Sequence, residues 1–270
     1  MSPETGRATG NPSPLLGTTR VESRGIWSRD GRQLAFNSDR AGEMNIWVRE
    51  SSGRERRLTT GAGGDYQPDW SPDGQALVFF SARGGNTDIW HVRLSDTALT
   101  RLTDDAALDI NPAYSPDGRS IAFVSDRSGR FEMWVMGADG SGQRQVASVG
   151  CWGHFVAWTA DGRGVVFRGE RDRQMQIYRA DVASGALTPM PPVHSGGHMS
   201  FSPSQSLIMD VSSHKVLWAH PVGGGEPYQV YQFPDPDVRI DYPRWAPNGR
   251  SIVFDRAAPR GADLWTLEGF

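Results

Sequence analysis

Gln67-Pro68-Asp69-Trp70-Ser71-Pro72-Asp73-Gly74, then Leu77-Val78-Phe79-Phe80, Ser81-Ala82-Arg83-Gly84 and Asp88-Ile89-Trp90, is a stretch that recurs along this chain. In Ser71-Pro72-Asp73-Gly74 the proline sets φ for the first corner of a turn, the aspartate suits the second, and the glycine supplies a positive φ. Ala76 to Phe80 is a continuous β-prone run, as expected of a strand buried on both faces. Asp88-Ile89-Trp90-His91-Val92 alternates polar and apolar and reads as a third strand. Arg101-Leu102-Thr103 reads as a short fourth strand. The Asp of each Asp-Gly pair falls at Asp30, Asp73, Asp117 and Asp161, and Ser204 and Asn248 continue the series. Intervals of about 43 to 44 residues match the period of a four-stranded propeller blade.

One such sheet cannot bury both faces alone, so the units must stack on one another. Six units stacked radially close on themselves and leave only short edges. The reading is therefore all-β: a six-bladed β-propeller of four-stranded antiparallel blades over residues 14–270, with a flexible polar tail over residues 1–13. The third strands carry Ile46-Trp47-Val48, Ile89-Trp90, Met133-Trp134-Val135, Ile177-Tyr178, Leu217-Trp218 and Leu264-Trp265. The recurrent third-strand aromatic reads as packing between blades, and with most of the ten Trp residues at equivalent repeat positions their abundance needs no functional explanation. Pro14-Leu15-Leu16-Gly17-Thr18-Thr19-Arg20 resembles a closing strand but precedes the first unit, while the last unit stops after its third strand. The N-terminal strand is expected to complete the last blade and close the ring.

The bulk numbers narrow the function classes. A formal charge of −3 leaves no electrostatic footprint for nucleic acid. The basic residues are almost all Arg, with Lys215 the single Lys. One cysteine, Cys151, excludes an internal disulfide. No apolar run approaches the ~18 residues of a membrane span. The N-terminus lacks a secretory pattern, so a cytoplasmic monomer is expected, or a periplasmic one where a leader has been removed.

The Trp-Ser-Pro-Asp-Gly turns, the apolar runs, Ser-Asp-Arg, Ile-Trp and Arg-Leu-Thr together resemble the TolB-like propeller repeat over residues 15 to 270. The resemblance implies the fold and, since the repeat is scaffold in every branch, little about activity. TolB of the Tol-Pal system carries an additional N-terminal α/β domain, so Tol-Pal function is not implied. The prolyl oligopeptidase-like enzymes add a hydrolase domain, and no Gly-x-Ser-x-Gly elbow occurs here. His198-Met199-Ser200-Phe201-Ser202-Pro203 resembles the His-before-Ser-Pro pattern of oligogalacturonate lyase, a metal-binding propeller.

First strands begin, and second strands end, on one face of the disc. That face gathers Glu22, Arg24, Asp65, Gln67, Asp109, Asn111, His154, His198 and Asp241 around one mouth of the central channel. Of these, Asp65, Gln67, Asp109, Asn111, His154, His198 and Asp241 are the expected ligand-binding set. His154 and His198, at matching places in the two units that break the repeat, are the metal-ligand candidates. Carboxylates with two His suit a divalent metal, a cationic peptide or a polyol. The Ser38-Asp39-Arg40 and Ser125-Asp126-Arg127 turns recur and read as scaffold, with Arg tying neighbouring loops. Cys151, with no base assigned, reads as inert. No catalytic residue is expected, and a divalent metal at the mouth is the one cofactor the pattern allows. The function expected is non-enzymatic: a binding or scaffold propeller presenting a polar mouth to a protein, peptide or small polar ligand. The alternative is a metal-dependent lyase or hydrolase acting on uronate-containing glycans, similar to oligogalacturonate lyase.

Overall fold

A computed structural model describes residue 8 and residues 10–17, 20–194, 198–258 and 261–270, with the side chains of residues 152–154 left out. Most of the tail expected over residues 1–13, and the Thr18-Thr19 segment, lie outside the described residues. Six four-stranded antiparallel sheets form the blades, with no helix among the described residues. Blade 1 runs Glu22–Trp27, Gln33–Ser38, Asn45–Glu50 and Glu55–Arg57 from the axis outward. Blade 2 is Asp65–Trp70, Ala76–Ser81, Asp88–Arg93 and Leu99–Arg101, and blade 3 is Asp109–Tyr114, Ser120–Ser125, Glu132–Gly137 and Arg144–Ala147. Blade 4 is Gly150–Trp158, Gly164–Arg171, Gln174–Asp181 and Leu187–Pro189. Blade 5 is Met199–Phe201, Leu207–Ser212, Val216–Pro221 and Tyr228–Gln232. Blade 6 is Arg239–Trp245, Ser251–Ala258 and Gly261–Glu268, completed by Ser13–Leu16 from the N-terminus. That closing strand pairs Ser13 with Thr266 and Leu16 with Leu264. Leu16 is buried against Leu34, Phe36, Val253 and Leu264, so the first and last blades share one core.

The repeat fixes the packing. In five blades a second-strand Phe faces a third-strand aromatic: Phe36 and Trp47, Phe79 and Trp90, Phe123 and Trp134, Phe167 and Tyr178, Phe254 and Trp265. These Phe side chains are fully buried and pack on the preceding blade, as Phe79 does on Ile46 and Val48. Between first and second strands the hydroxyl of Ser71 donates to Asp73 at 2.6 Å, and Gly74 holds φ +70°. Blade 5 has lost that glycine. Gln205 takes the left-handed position at φ +56°, and its side chain receives the Ala160 amide and donates to the Trp158 carbonyl of blade 4.

Second and third strands are joined by long loops in blades 1 to 3, and these hold Ser-Asp-Arg or its variant. Each arginine pairs with the buried acid that opens its own blade: Arg40 with Glu22, Arg83 with Asp65 at 2.5 Å, Arg127 with Asp109 at 2.8 Å. Each guanidinium also lies over the third-strand Trp. Blade 4 uses the two-residue turn Asp172-Arg173 and blade 5 the three-residue turn Ser213-His214-Lys215 instead. In blade 5 Ser213 and His214 both hold positive φ, at 51° and 54°, without a glycine.

Candidate functional site

The axis of the disc has a polar mouth, a narrow waist and an open funnel. The polar mouth is the face where first strands begin. There His198 and His214 both present Nδ1 to Oδ1 of Asp241, at 2.7 Å and 2.6 Å. Arg239 donates to Nε2 of His214 at 3.0 Å, so His214 carries its proton on Nδ1 and donates it to Asp241. Burial alone would raise the Asp241 carboxyl, but the two imidazoles hold it below the ordinary carboxylate range. The His198 ring lies 4.0 Å from Tyr242, and Arg24 stacks on the other part of that column at 3.6 Å while donating to the Tyr242 hydroxyl. Of the residues expected at this mouth, His198 and Asp241 thus meet. Asp65 and Asp109 are instead buried in the blade-opening pairs with Arg83 and Arg127, because they stand one register position before that of Asp241 and side chains alternate faces along a strand. The side chain of His154 lies outside the described residues.

The waist is made by a repeated distortion. Arg24, Gln67, Asn111 and Tyr242 occupy the same register in blades 1, 2, 3 and 6, and all four hold φ between 50° and 57°. Pairing with the second strand slips at each, which marks a bulge that re-aims the side chain. Pro68, Pro112 and Pro243 follow three of them and cannot donate to the ladder. Neighbouring blades hold two of the bulges: the Arg24 amide donates to Asp255 at 2.8 Å, and the Gln67 amide to Asn37 at 3.3 Å. The four side chains line a cavity of about 40 Å³, space for ordered water but not for a ligand. Burial pushes Asp255 up to about 8 and lowers Arg24 below the ordinary arginine value.

The open end is the face where first strands finish. A funnel of about 450 Å³ draws residues from all six blades, within the size range of small-molecule sites. Trp27, Trp70, Tyr114, Phe201 and Trp245 form its aromatic wall, each from the same repeat position. Asp69 and Arg244 form its floor and also line the waist. Asp69 accepts the Tyr114 amide at 2.7 Å, and burial pushes its carboxyl up to about 6 against the pull of Arg244. Both retain some surface toward the axis while protein surrounds them elsewhere. Burial lowers Arg244, and Asp69, Asp255 and Tyr242 oppose that. No hydrogen bond or ion pair engages its guanidinium among the described residues. The funnel is absent from the sequence reading, which took the recurrent aromatics as scaffold and looked to the opposite face. Cys151 is buried, and burial pushes its thiol far up, consistent with an inert group.

Fold and axial cavity together define a six-bladed β-propeller with a funnel on its axis. Within that class the chain belongs to the TolB beta propeller domain family, whose model matches residues 27–224. No curated protein matches the chain in sequence. Among solved structures it is similar to TolB from Acinetobacter baumannii, at 19% identity and a TM-score of 0.65 over 96% of this chain. The chain spans 58% of that protein's length. It is also similar to oligogalacturonate lyase from Vibrio parahaemolyticus, at 15% identity and a TM-score of 0.63, covering 97% of this chain and 95% of the lyase. A gluconolactonase from Xanthomonas campestris aligns at 13% identity and a TM-score of 0.73, covering 100% of this chain and 93% of the enzyme. At these identities the likenesses show the fold alone. No helix among the described residues is long and apolar enough to cross a membrane.

Proposed function

We propose that this protein is a binding module whose funnel takes a carboxylate-bearing segment of a protein or peptide, or a small aromatic acid of the same chemistry. The observation that carries the reading is Arg244: a guanidinium with five donors, set at the centre of the disc, in the field of Asp69 and Asp255 but with no hydrogen bond or ion pair among the described residues, and open to an aromatic-walled space. A planar fork of this kind matches a carboxylate in bidentate fashion. The aromatic wall supplies apolar contact for whatever carries that carboxylate. Groups the size of a small ligand fit the volume, and the water-sized waist stops them from threading the disc.

A library of random peptides displayed with free C-termini, selected on the protein, tests this. Selected peptides are expected to lose at least about tenfold in affinity, a loss of about 1.4 kcal/mol, toward an Arg244→Gln variant of unchanged melting behaviour. Equal affinity for both would contradict the reading. A second reading, a metal-dependent lyase or hydrolase on uronate-containing glycans, draws on the convergence of His198, His214 and Asp241 and on the likeness to oligogalacturonate lyase, one structure of which is a complex with manganese. That reading requires a metal lost on His198→Ala. The 2.6–2.7 Å contacts onto a single oxygen are hydrogen-bond lengths, and they favour the binding module.

A further inference from the structure

The register of blade 5 contains a substitution at the heart of the repeat. Where the other five blades bury Phe36, Phe79, Phe123, Phe167 and Phe254 opposite the third-strand aromatic, blade 5 places Asp210 opposite Trp218. Asp210 has 0% of its surface exposed. A carboxylate in a position made for a phenyl ring is costly unless specific partners meet it. Two imidazoles stand beside it. His220 is two residues beyond Trp218 on the neighbouring strand, at a register filled by Val92, Met136, Ala180 and Leu267 in blades 2, 3, 4 and 6. It is buried, and its Nδ1 has no hydrogen-bond partner among the described residues, so the ring does not serve a local backbone group. His194 comes from the link before blade 5 and stacks on Trp218 at 4.1 Å.

Two of the spacings match those of ligands around one metal ion. His220 Nε2 lies 3.5 Å from Asp210 Oδ2 and 3.3 Å from His194 Nδ1. All three ligand atoms fall within 4.8 Å of one another. A tetrahedral ion with bonds of ~2.0–2.1 Å holds its ligand atoms about 3.3–3.4 Å apart. Charge-assisted hydrogen bonds run at ~2.7–2.9 Å, the range occupied by His198, His214 and Asp241 at the polar mouth. We propose that His194, Asp210 and His220 bind a divalent first-row transition metal of zinc type, within blade 5 and apart from the funnel. Two neutral imidazoles and one carboxylate are a borderline-soft, three-ligand set that leaves a fourth position open. His194 is the exposed member, so the ion enters on its side.

The test uses the full chain, stripped with chelator and titrated with Co(II) and then Zn(II), reading visible d–d absorption and elemental content. Wild type and Asp241→Asn are expected to bind about one equivalent with the spectrum of a four-coordinate ion. His194→Ala, a surface change that leaves the core intact, and Asp210→Asn are expected to lose at least about tenfold in affinity. No metal bound by wild type would overturn the proposal. So would unchanged binding by His194→Ala, or binding abolished by Asp241→Asn, which would place the ion at the other triad. Peptide binding by the funnel does not enter either result, so the two proposals fail separately.

Discussion

Arg83→Ala separates scaffold from site more sharply than any other single change. Asp65 is 1% exposed and the Arg83 side chain 11%, with Arg83 held also by the Ser81 hydroxyl and the Thr60 carbonyl. Removing the guanidinium leaves a carboxylate buried at the start of blade 2 without its counter-charge. Breaking a buried pair in this way costs about 3–5 kcal/mol, so the folded-to-unfolded ratio should fall by roughly 150- to 5,000-fold. The paired change Asp65→Leu with Arg83→Ala removes both charges and should cost much less, since the desolvation cost goes with them. Urea unfolding of the four proteins of the cycle measures this. Arg40 with Glu22 and Arg127 with Asp109 supply two internal repeats of the experiment. A loss under about 1 kcal/mol for Arg83→Ala, the value of an exposed pair, would refute the scaffold reading of these turns.

Further outcomes follow from the same geometry. Asp69 has a folded pKa of about 6, above the ~3.9 of an unfolded chain, so the fold favours its protonated form. Its contribution is therefore largest below pH ~4, declines through pH ~6 and levels off above; thermal melts should show Asp69→Asn gaining on wild type across that window. The same titration should tighten carboxylate binding in the funnel as pH drops below ~6, which calorimetry with a selected peptide would read. Removal of residues 1–17 deletes the strand paired to Gly261–Glu268 and the buried Leu16; a loss of at least ~2 kcal/mol and concentration-dependent association by light scattering are expected. Lys215 donates to the carbonyls of Asp235, Pro236 and Val238, so Lys215→Met should cost about 1.5–3 kcal/mol in urea unfolding and loosen that link to proteolysis.

The architecture was legible because each repeat states its turn, its buried run and its third-strand aromatic in the same order. Even the closure could be read, since Pro14-Leu15-Leu16 was a strand without a sheet. The Ser-Asp-Arg turns were read as scaffold, and their arginines lie in buried pairs. Ligand geometry was less legible for a physical reason: a site on the axis is assembled from one residue per blade, and no local pattern marks it. Trp27, Trp70, Tyr114, Phe201 and Trp245 are the same repeat position five times over, and only ring closure turns them into a wall. Arg244 carries no signal in Tyr242-Pro243-Arg244-Trp245, since what surrounds its guanidinium is set by the folded centre. His198 and Asp241 were placed on one mouth by topology alone, whereas His214 arrives there through a turn whose left-handed backbone has no Gly to announce it. Asp210 was visible in principle: Leu207-Ile208-Met209-Asp210 set beneath Ala76-Leu77-Val78-Phe79 shows the exchange once the register is fixed.

The most direct test of the binding account uses benzoate, which carries a ring for the aromatic wall and a carboxylate for Arg244. Followed by nitrogen-15 NMR, benzoate should saturably shift the Arg244 side-chain signal and the indole signals of Trp27 and Trp245. Benzamide, of the same shape without the charge, should do so at least about tenfold more weakly, and Arg244→Gln should abolish the difference. Equal binding of the two probes, or shifts confined to His198, His214 and Asp241 on the opposite face, would contradict it.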